Sequence, residues 1–376
     1  MRAKYGKPLR AFIKDNATIT SLIDLGEDDI FDDATTYTNI ISFRKQKPPD
    51  DNRFIMSEAP FGDELMLLDQ SRLDESAYQL EPPIFYEIKA KIETIGTPLG
   101  QWEIDINYGI KTGLNEAFVI DGNTRDQLIA ADPASSKLIK PYLRGRDIGR
   151  WQAHHADLWL IFVPWHFPLH NDDSIKGVST RAENLFREQF PAIYSHLLSH
   201  RSKLEKRNKA EVGVRHEWYA LQRWAANYHD QFEKEKLIYP DISNTMEFSI
   251  DSGSYHGNTA YHIVGNHLQY LQAILNSQLM HWYLESIGTS VRGGYLRFFD
   301  IYIRQLPIPK IDTNKKTPFI NMSNTLRDLT EERRAFATRM TDLLQQEHGL
   351  SKLSNKLRDW PAYDGRAENF FHSGGC

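Results

Sequence analysis

The chain has 376 residues, of which 40% are hydrophobic and 25% charged, enough for roughly two or three domains around a substantial core. Its one cysteine, Cys376, excludes intrachain disulfides and cysteine-based zinc sites, and no apolar run reaches membrane-spanning length, so a reducing, cytoplasmic setting without a membrane partner is expected. The net charge of −5 hides an asymmetry: residues 137–223 carry 15 Lys and Arg against 9 Asp and Glu, a positive stretch able to attract phosphate within an otherwise acidic chain.

Residues 8–13 predict an amphipathic helix, residues 19–25 a strand ended by Gly26, and residues 38–43 a second, β-branched strand. One helix and two strands cannot bury a core alone. Residues 1–48 are therefore expected to be the tail of a larger α/β domain. Residues 45–52 are charged and contain Pro48-Pro49, which predicts a linker. It leads into a connecting segment over 49–98, acidic around 63–81, with a helix or strand at 85–92. A new domain is expected from Leu99 to residue 312. Its first landmark, Gly109-Ile110-Lys111-Thr112-Gly113, is a basic turn between glycines. A strand at 117–120 and a turn at Asp121-Gly122 should follow. Residues 158–163, the longest apolar run, stop at Pro164 and read as a buried strand. Further strands are predicted at 237–239 and 260–264, and helical spacing runs over 268–284. Beyond Pro318 a long helix is predicted within a helical region, 313–376. Leu326, Leu329, Phe336, Met340 and Leu343 take heptad-like positions, Arg333 interrupts them, and Gly349 is a stop. So short a seam predicts a hairpin with a helix beginning near Ser351 rather than a dimeric coiled coil.

Three segments carry chemistry. Arg292-Gly293-Gly294-Tyr295-Leu296-Arg297-Phe298-Phe299 sets two arginines and a tyrosine around paired glycines, where backbone can approach a partner closely. Arginine beside an aromatic suits phosphate and base contacts. Lys140-Pro141-Tyr142-Leu143-Arg144-Gly145-Arg146-Asp147-Ile148, with Arg150 after it, offers four cations around one glycine. About two of these four are expected to touch DNA, the others being held structurally, with Asp147 as the competing partner. The run 201–207 contains Lys206 and Arg207 and fits either a phosphate-facing strip or a solvated helix face. Around it, in 165–235, Arg215 and Arg223 cluster with Trp218, Tyr219 and Trp224, and variable recognition loops are expected there. The 14 histidines show no metal-ligand spacing, so no metal site is expected.

The first two of these segments, together with Gly109-Ile110-Lys111-Thr112-Gly113, Tyr239-Pro240-Asp241-Ile242-Ser243, Asn258-Thr259-Ala260-Tyr261, Leu275-Asn276-Ser277-Gln278-Leu279 and Gln305-Leu306-Pro307-Ile308-Pro309 along the chain, resemble the TaqI-like C-terminal specificity domain. That domain is the target-recognition part of adenine-specific DNA methyltransferases and fused restriction-modification enzymes. Pro8-Leu9-Arg10-Ala11-Phe12 through Tyr37-Thr38-Asn39-Ile40-Ile41-Ser42-Phe43 resembles the end of the methyltransferase catalytic domain. The resemblance implies that Phe31 packs against a flipped adenine; the residue alone fits a core position equally well. It also implies an Asn/Asp/Ser-Pro-Pro-Tyr/Phe motif and a glycine-containing loop for S-adenosylmethionine, neither of which stands here. Lys47-Pro48-Pro49-Asp50 begins with a donor instead of an acceptor, and Glu81-Pro82-Pro83-Ile84 ends without an aromatic. Glu87-Ile88-Lys89 matches the acid-x-lysine end of a nuclease site, a pattern short enough to arise by chance.

The expected fold is an α/β remnant of a methyltransferase sheet, then an α+β target-recognition domain, then a helical C-terminal region. No catalytic residue and no cofactor are expected in this chain; S-adenosylmethionine is expected in the missing catalytic half. The expected function is sequence-specific recognition of duplex DNA through Lys111, Lys140, Arg144, Arg146, Arg150, Lys206, Arg207, Arg292, Tyr295 and Arg297. The chain would act beside a separate methyltransferase or restriction catalytic chain. Alternatives are a subunit completing an active adenine methyltransferase in trans, and a protein-interaction module docking through 319–358.

Overall fold

The computed structural model describes residues 6–25, 38–57, 65–73, 78, 83–291 and 294–349. Phe31, Arg292 and the expected helix from Ser351 lie outside the described residues. The chain forms two compact units, residues 1–97 with 285–294, and residues 98–284 with 295–376.

In the first unit the helix Lys7–Asn16 opens with Pro8 in its first turn, where a missing N–H costs nothing. It leads into the strand Thr18–Asp24, which pairs antiparallel with Asn39–Arg44 and parallel with Arg53–Ser57. Arg53–Ser57 pairs in turn with Met66–Asp69. The sheet therefore runs past the boundary at residue 48, and two strands expected to be connecting segment belong to it. Ile13, Ile19, Leu22, Phe54, Met56, Leu68 and Tyr78 form its core. Buried Gln70 ties the pieces together: its amide donates to the carbonyls of Lys14 (2.8 Å) and Ala17 (2.7 Å) and its oxygen accepts from the Ile19 N–H (2.9 Å). Strand alternation sends Ile40, Ile55 and Leu67 to the other face, where they remain about half exposed. Helix, not strand, forms at Pro83–Ile95. Two residues apart on a helix, Glu87 and Lys89 project in different directions, which removes the acid-x-lysine geometry.

The second unit holds two four-stranded sheets. One runs Ser249–Ser252, Glu235–Pro240, Ala260–Gly265, Ile104–Tyr108, all antiparallel. The other runs Tyr255–His256, Ile139–Leu143, Leu158–Ile161, Val119–Asp121. Its large core includes Phe118, Leu160, Phe186, Tyr219, Leu221 and Phe232. Two local expectations change here. Residues 115–118 form a helical turn, and Asp121 caps the helix Gly122–Ala131 by accepting from the Thr124 N–H at 2.8 Å, so Asp121-Gly122 starts a helix instead of a hairpin.

The helical spacing over 268–284 breaks at Asn276 into Leu268–Leu275 and Gln278–Ile287. Asn276 is buried and behaves as an added peptide: its oxygen accepts from the Phe248 N–H (2.9 Å) and its amide donates to the Phe248 carbonyl (2.8 Å). The last helix, Thr313–His348, begins before Pro318 and carries it near its start. It packs on Leu268–Leu275, where the small, buried Ser323 donates from Oγ to Gln272 Oε1 at 2.7 Å. The heptad positions Leu329 and Leu343 stay half exposed, so the apolar seam is not the face that joins this helix to its unit.

A buried polar chain links the two sheets of the second unit. His256 Nε2 lies 2.9 Å from His262 Nδ1, and His262 Nε2 lies 3.1 Å from Gln231 Oε1. Lys236, fully buried alongside, donates to Asp251 (2.6 Å) and to the Phe232 carbonyl (2.8 Å). Burial, then the neighbouring charges, pushes His256 down to about 4 and His262 lower still from the usual 6.5. Both are neutral in the fold and bind protons only on unfolding. Their contribution to stability is therefore fully present well above pH 6.5 and falls as pH drops toward 4, by up to about 1.4 kcal/mol per pH unit for each histidine. Urea midpoints at pH 7.5, 6 and 5 test this, with a shallower decline expected for His262→Gln. Equal declines in both proteins would contradict it.

Candidate nucleic-acid interface

Segments distant in sequence meet at one node of the second unit. The Gly109 and Ile110 N–H groups donate to the carbonyls of Ala260 (3.1 Å) and His256 (2.8 Å), and the Asn258 N–H donates back to Ile110 (3.0 Å). Gly257 N–H reaches the Leu143 carbonyl (3.3 Å), and Gly145 N–H reaches Thr259 Oγ1 (3.2 Å). Asp241 N–H donates to Thr259 and Phe298 N–H to Asp241, both at 2.9 Å. The contacts leave no room: a Cβ on Gly109 would stand 2.1 Å from the Gly257 oxygen, and one on Gly145 2.6 Å from the Thr259 oxygen. The glycines here serve close backbone approach.

Around this node the expected cations divide. Arg144 clamps Asp147 with two bonds, Nε to Oδ2 at 2.8 Å and Nη2 to Oδ1 at 2.7 Å. Desolvation raises the Asp147 carboxyl, but hydrogen bonds from Arg144 outweigh it and the group stays below its usual range. Arg150 donates to the Asn276 carbonyl and lies 5.4 Å from the Trp151 ring. Lys140 pairs with Glu233 at 3.0 Å. Arg297 pairs with Asp241 at 2.9 Å. Burial raises the Asp241 carboxyl despite Arg297, and its Oδ1 is buried with no hydrogen-bond partner among the described residues. Lys111, Arg146 and Lys206 are exposed and make no side-chain hydrogen bond or ion pair among the described residues, and Tyr295 is exposed as well.

Arg207 is the clear correction. It is 8% exposed, and its guanidinium donates to four carbonyls: Thr112 (2.6 Å), Trp218 (2.7 Å), Ala220 (2.9 Å) and Leu204 (3.1 Å). Burial lowers it to about 10. It is an internal clamp, out of reach of a phosphate. Trp218 and Tyr219 are likewise interior.

What remains at the surface of residues 205–225 is a cluster that sequence alone did not resolve. Arg223 grips Glu211 with two bonds, 2.8 and 2.6 Å. Arg215 lies 3.5 Å from the same carboxylate. Both guanidiniums approach the Trp165 ring, at 5.7 Å for Arg215 and 5.8 Å for Arg223, and Trp165 stacks on His216 at 4.7 Å. The aromatic and basic residue types were a signal; that Arg215 alone among these arginines stays mostly exposed depends on burial. Among the described residues no group of three or more His, Cys, Asp and Glu is placed to hold a metal, and no helix is long and apolar enough to cross a membrane.

The chain is 24% identical over 347 residues to the Type II methyltransferase M.BstVI of Geobacillus stearothermophilus, covering 83% of this chain and 57% of that protein. It is 25% identical over 344 residues to the Type II restriction enzyme and methyltransferase RM.Eco57I of Escherichia coli, covering 82% and 33%. It is 23% identical over 332 residues to the Type II methyltransferase M.XhoI of Xanthomonas vasicola, covering 81% and 56%. The chain thus spans from a third to somewhat over half of these relatives. Its fold is similar to that of the Type IIL restriction-modification enzyme MmeI, solved in complex with DNA, with a TM-score of 0.51 at 12% identity over 85% of this chain and 38% of that one. The general arrangement, an α/β part with a specificity domain and helical regions, is that of Type II DNA methyltransferases and restriction enzymes. Residues 140–308 match the TaqI-like C-terminal specificity domain, and such a domain is therefore present in this chain.

Proposed function

We propose that this chain recognises a short sequence in duplex DNA for an adenine-specific methyltransferase or restriction-modification enzyme, and that it neither holds S-adenosylmethionine nor transfers a methyl group by itself. The observation that carries this reading is the node, where loops bearing exposed Lys111 and Arg146 are tied to one rigid backbone framework. Fixed loops carrying free cations suit phosphate contacts that set register on a duplex. Arg144, Arg150, Lys140 and Arg297 support the loops through their own partners. In this reading Arg292, Tyr295 and Lys206 add contacts, and Phe31 serves the flipped base once the catalytic half is present.

Selection of bound duplexes from a random pool, followed by titration against salt, tests the proposal. Enrichment of one short motif is expected, with affinity falling steeply as salt rises. Lys111→Ala should weaken every duplex alike and lower the logarithmic salt slope by about 1. No enriched motif from the wild-type chain would refute autonomous recognition.

The half-exposed apolar face of the first unit's sheet, with Ile40, Ile55 and Leu67, favours a second reading. That face suits further secondary structure of a methyltransferase domain, so this chain would complete the enzyme in trans. Methylation appearing only after mixing with an upstream catalytic fragment is the expected result. Methylation at the same rate by that fragment alone would dismiss it.

A further inference from the structure

The surface turn 211–216 is built unlike an ordinary solvated loop. Its base is attached to the node: the Lys111 and Arg223 N–H groups donate to each other's carbonyls at 3.0 and 2.9 Å. Residues facing each other in such an antiparallel pair carry their side chains on the same side. Lys111 is therefore set beside the Arg223, Glu211 and Arg215 cluster. The turn is closed by the Gly213 N–H on the His216 carbonyl (2.9 Å) and the Arg215 N–H on the Glu211 carbonyl (2.7 Å). Gly213 takes the positive φ of 75° that this path needs.

At its tip Val214 is exposed, and the Arg215 side chain is 60% exposed yet held in place. Glu211 anchors it on one side and the Trp165 ring, fastened by its indole N–H to the Leu221 carbonyl at 2.8 Å, supports it on the other. Glu211 already receives both bonds from Arg223, and Arg215 is only its distant partner. Two guanidiniums share one carboxylate, which leaves uncompensated positive charge. Lys206 and Lys209 add to it, exposed and without ion pairs among the described residues. A preorganised planar donor loses little freedom on binding.

We propose that the turn 211–216 is a base-reading element of the recognition surface, with Arg215 donating in bidentate fashion to a guanine edge in the major groove. Guanine offers two adjacent acceptors that match the guanidinium fork. A phosphate would match the fork too, but the neighbouring apolar Val214 at the tip suits a groove floor, where thymine methyls lie, better than the charged backbone. Lys111, Lys206 and Lys209 are the phosphate-facing cations of this surface. The inference rests on the DNA-recognition reading above.

The test is motif selection by the full chain and by its Arg215→Ala, Arg215→Lys and Lys206→Ala variants, with urea midpoints confirming that each is folded. Wild type should enrich a motif containing guanine. Arg215→Ala should lose roughly five- to 150-fold discrimination at one base pair while the other positions keep theirs. Arg215→Lys should lose that discrimination but keep the salt slope, because it retains the charge and not the fork. Lys206→Ala should keep the motif and lower the slope by about 1. An unchanged motif for Arg215→Ala overturns the assignment, and so does a uniform loss at all positions, which would mark a phosphate contact. Absence of any motif for the wild type would instead overturn the recognition reading itself.

Discussion

Arg207→Ala is expected to cost about 3–5 kcal/mol of unfolding free energy, the largest side-chain effect anticipated in this protein. The guanidinium feeds four carbonyls from three separate stretches, residues 112, 204 and 218–220. Removing it leaves buried acceptors without donors, and each such group costs about 1–3 kcal/mol, partly relieved by water entering the gap. Its ring contact with Phe118 at 5.5 Å is lost as well. Urea unfolding should show a lower midpoint at an unchanged slope. Arg207→Lys should recover only part of the loss, since one ammonium cannot reach all four carbonyls. Where the alanine variant is still folded, its DNA salt slope should equal the wild-type value. A stable Arg207→Ala protein with a reduced slope would return Arg207 to the DNA-facing surface.

Gly109→Ala is expected to destabilise the second unit by about 3 kcal/mol or more. The added Cβ would lie 2.1 Å from the Gly257 oxygen and 2.4 Å from the His256 oxygen, both backbone atoms with no rotamer to yield. The two segments would have to separate, breaking the bonds from Gly109 to Ala260 and from Ile110 to His256. Because Lys111 and the turn at 211–216 hang from the same ladder, sequence preference should degrade even in molecules that remain folded. Alanine at Gly213 provides a contrast: nothing lies within 4 Å of a Cβ there, and its positive φ is the only obstacle. Its cost should stay near 1 kcal/mol. Equal midpoints for Gly109→Ala and wild type would show that the node is not close-packed.

Much of the chain's organisation was legible beforehand, for reasons that can be stated locally. The opening helix and strands showed their periods, and residues 237–239 and 260–264 were apolar enough to be strands whatever surrounded them. Elements whose form depends on partners were misread. The strands at 53–57 and 66–69 are too short to stand out until the 18–24 strand pairs the first of them. Asp121-Gly122 fits a hairpin turn or a helix cap, and the fold uses Asp121 as the cap, its side chain accepting from the Thr124 N–H. The heptad-like positions of the last helix predicted a seam for a helix from Ser351, which lies outside the described residues; the side packed on Leu268–Leu275 is the one carrying Ser323, because Gln272 supplies a partner for it.

The same division runs through the candidate site. The sequence by itself determined which residue types occupy the recognition segments and in what order, and that was enough to point to a specificity domain, since a run of motifs is a property of the chain. Tertiary structure alone decided which cations remain available. Whether an arginine faces solvent, a carboxylate or four carbonyls depends on segments a hundred residues away, as Arg207 and Thr112 show. A guanidinium keeps its charge in each setting; burial and partners determine whether that charge is used inside the fold or left for a ligand.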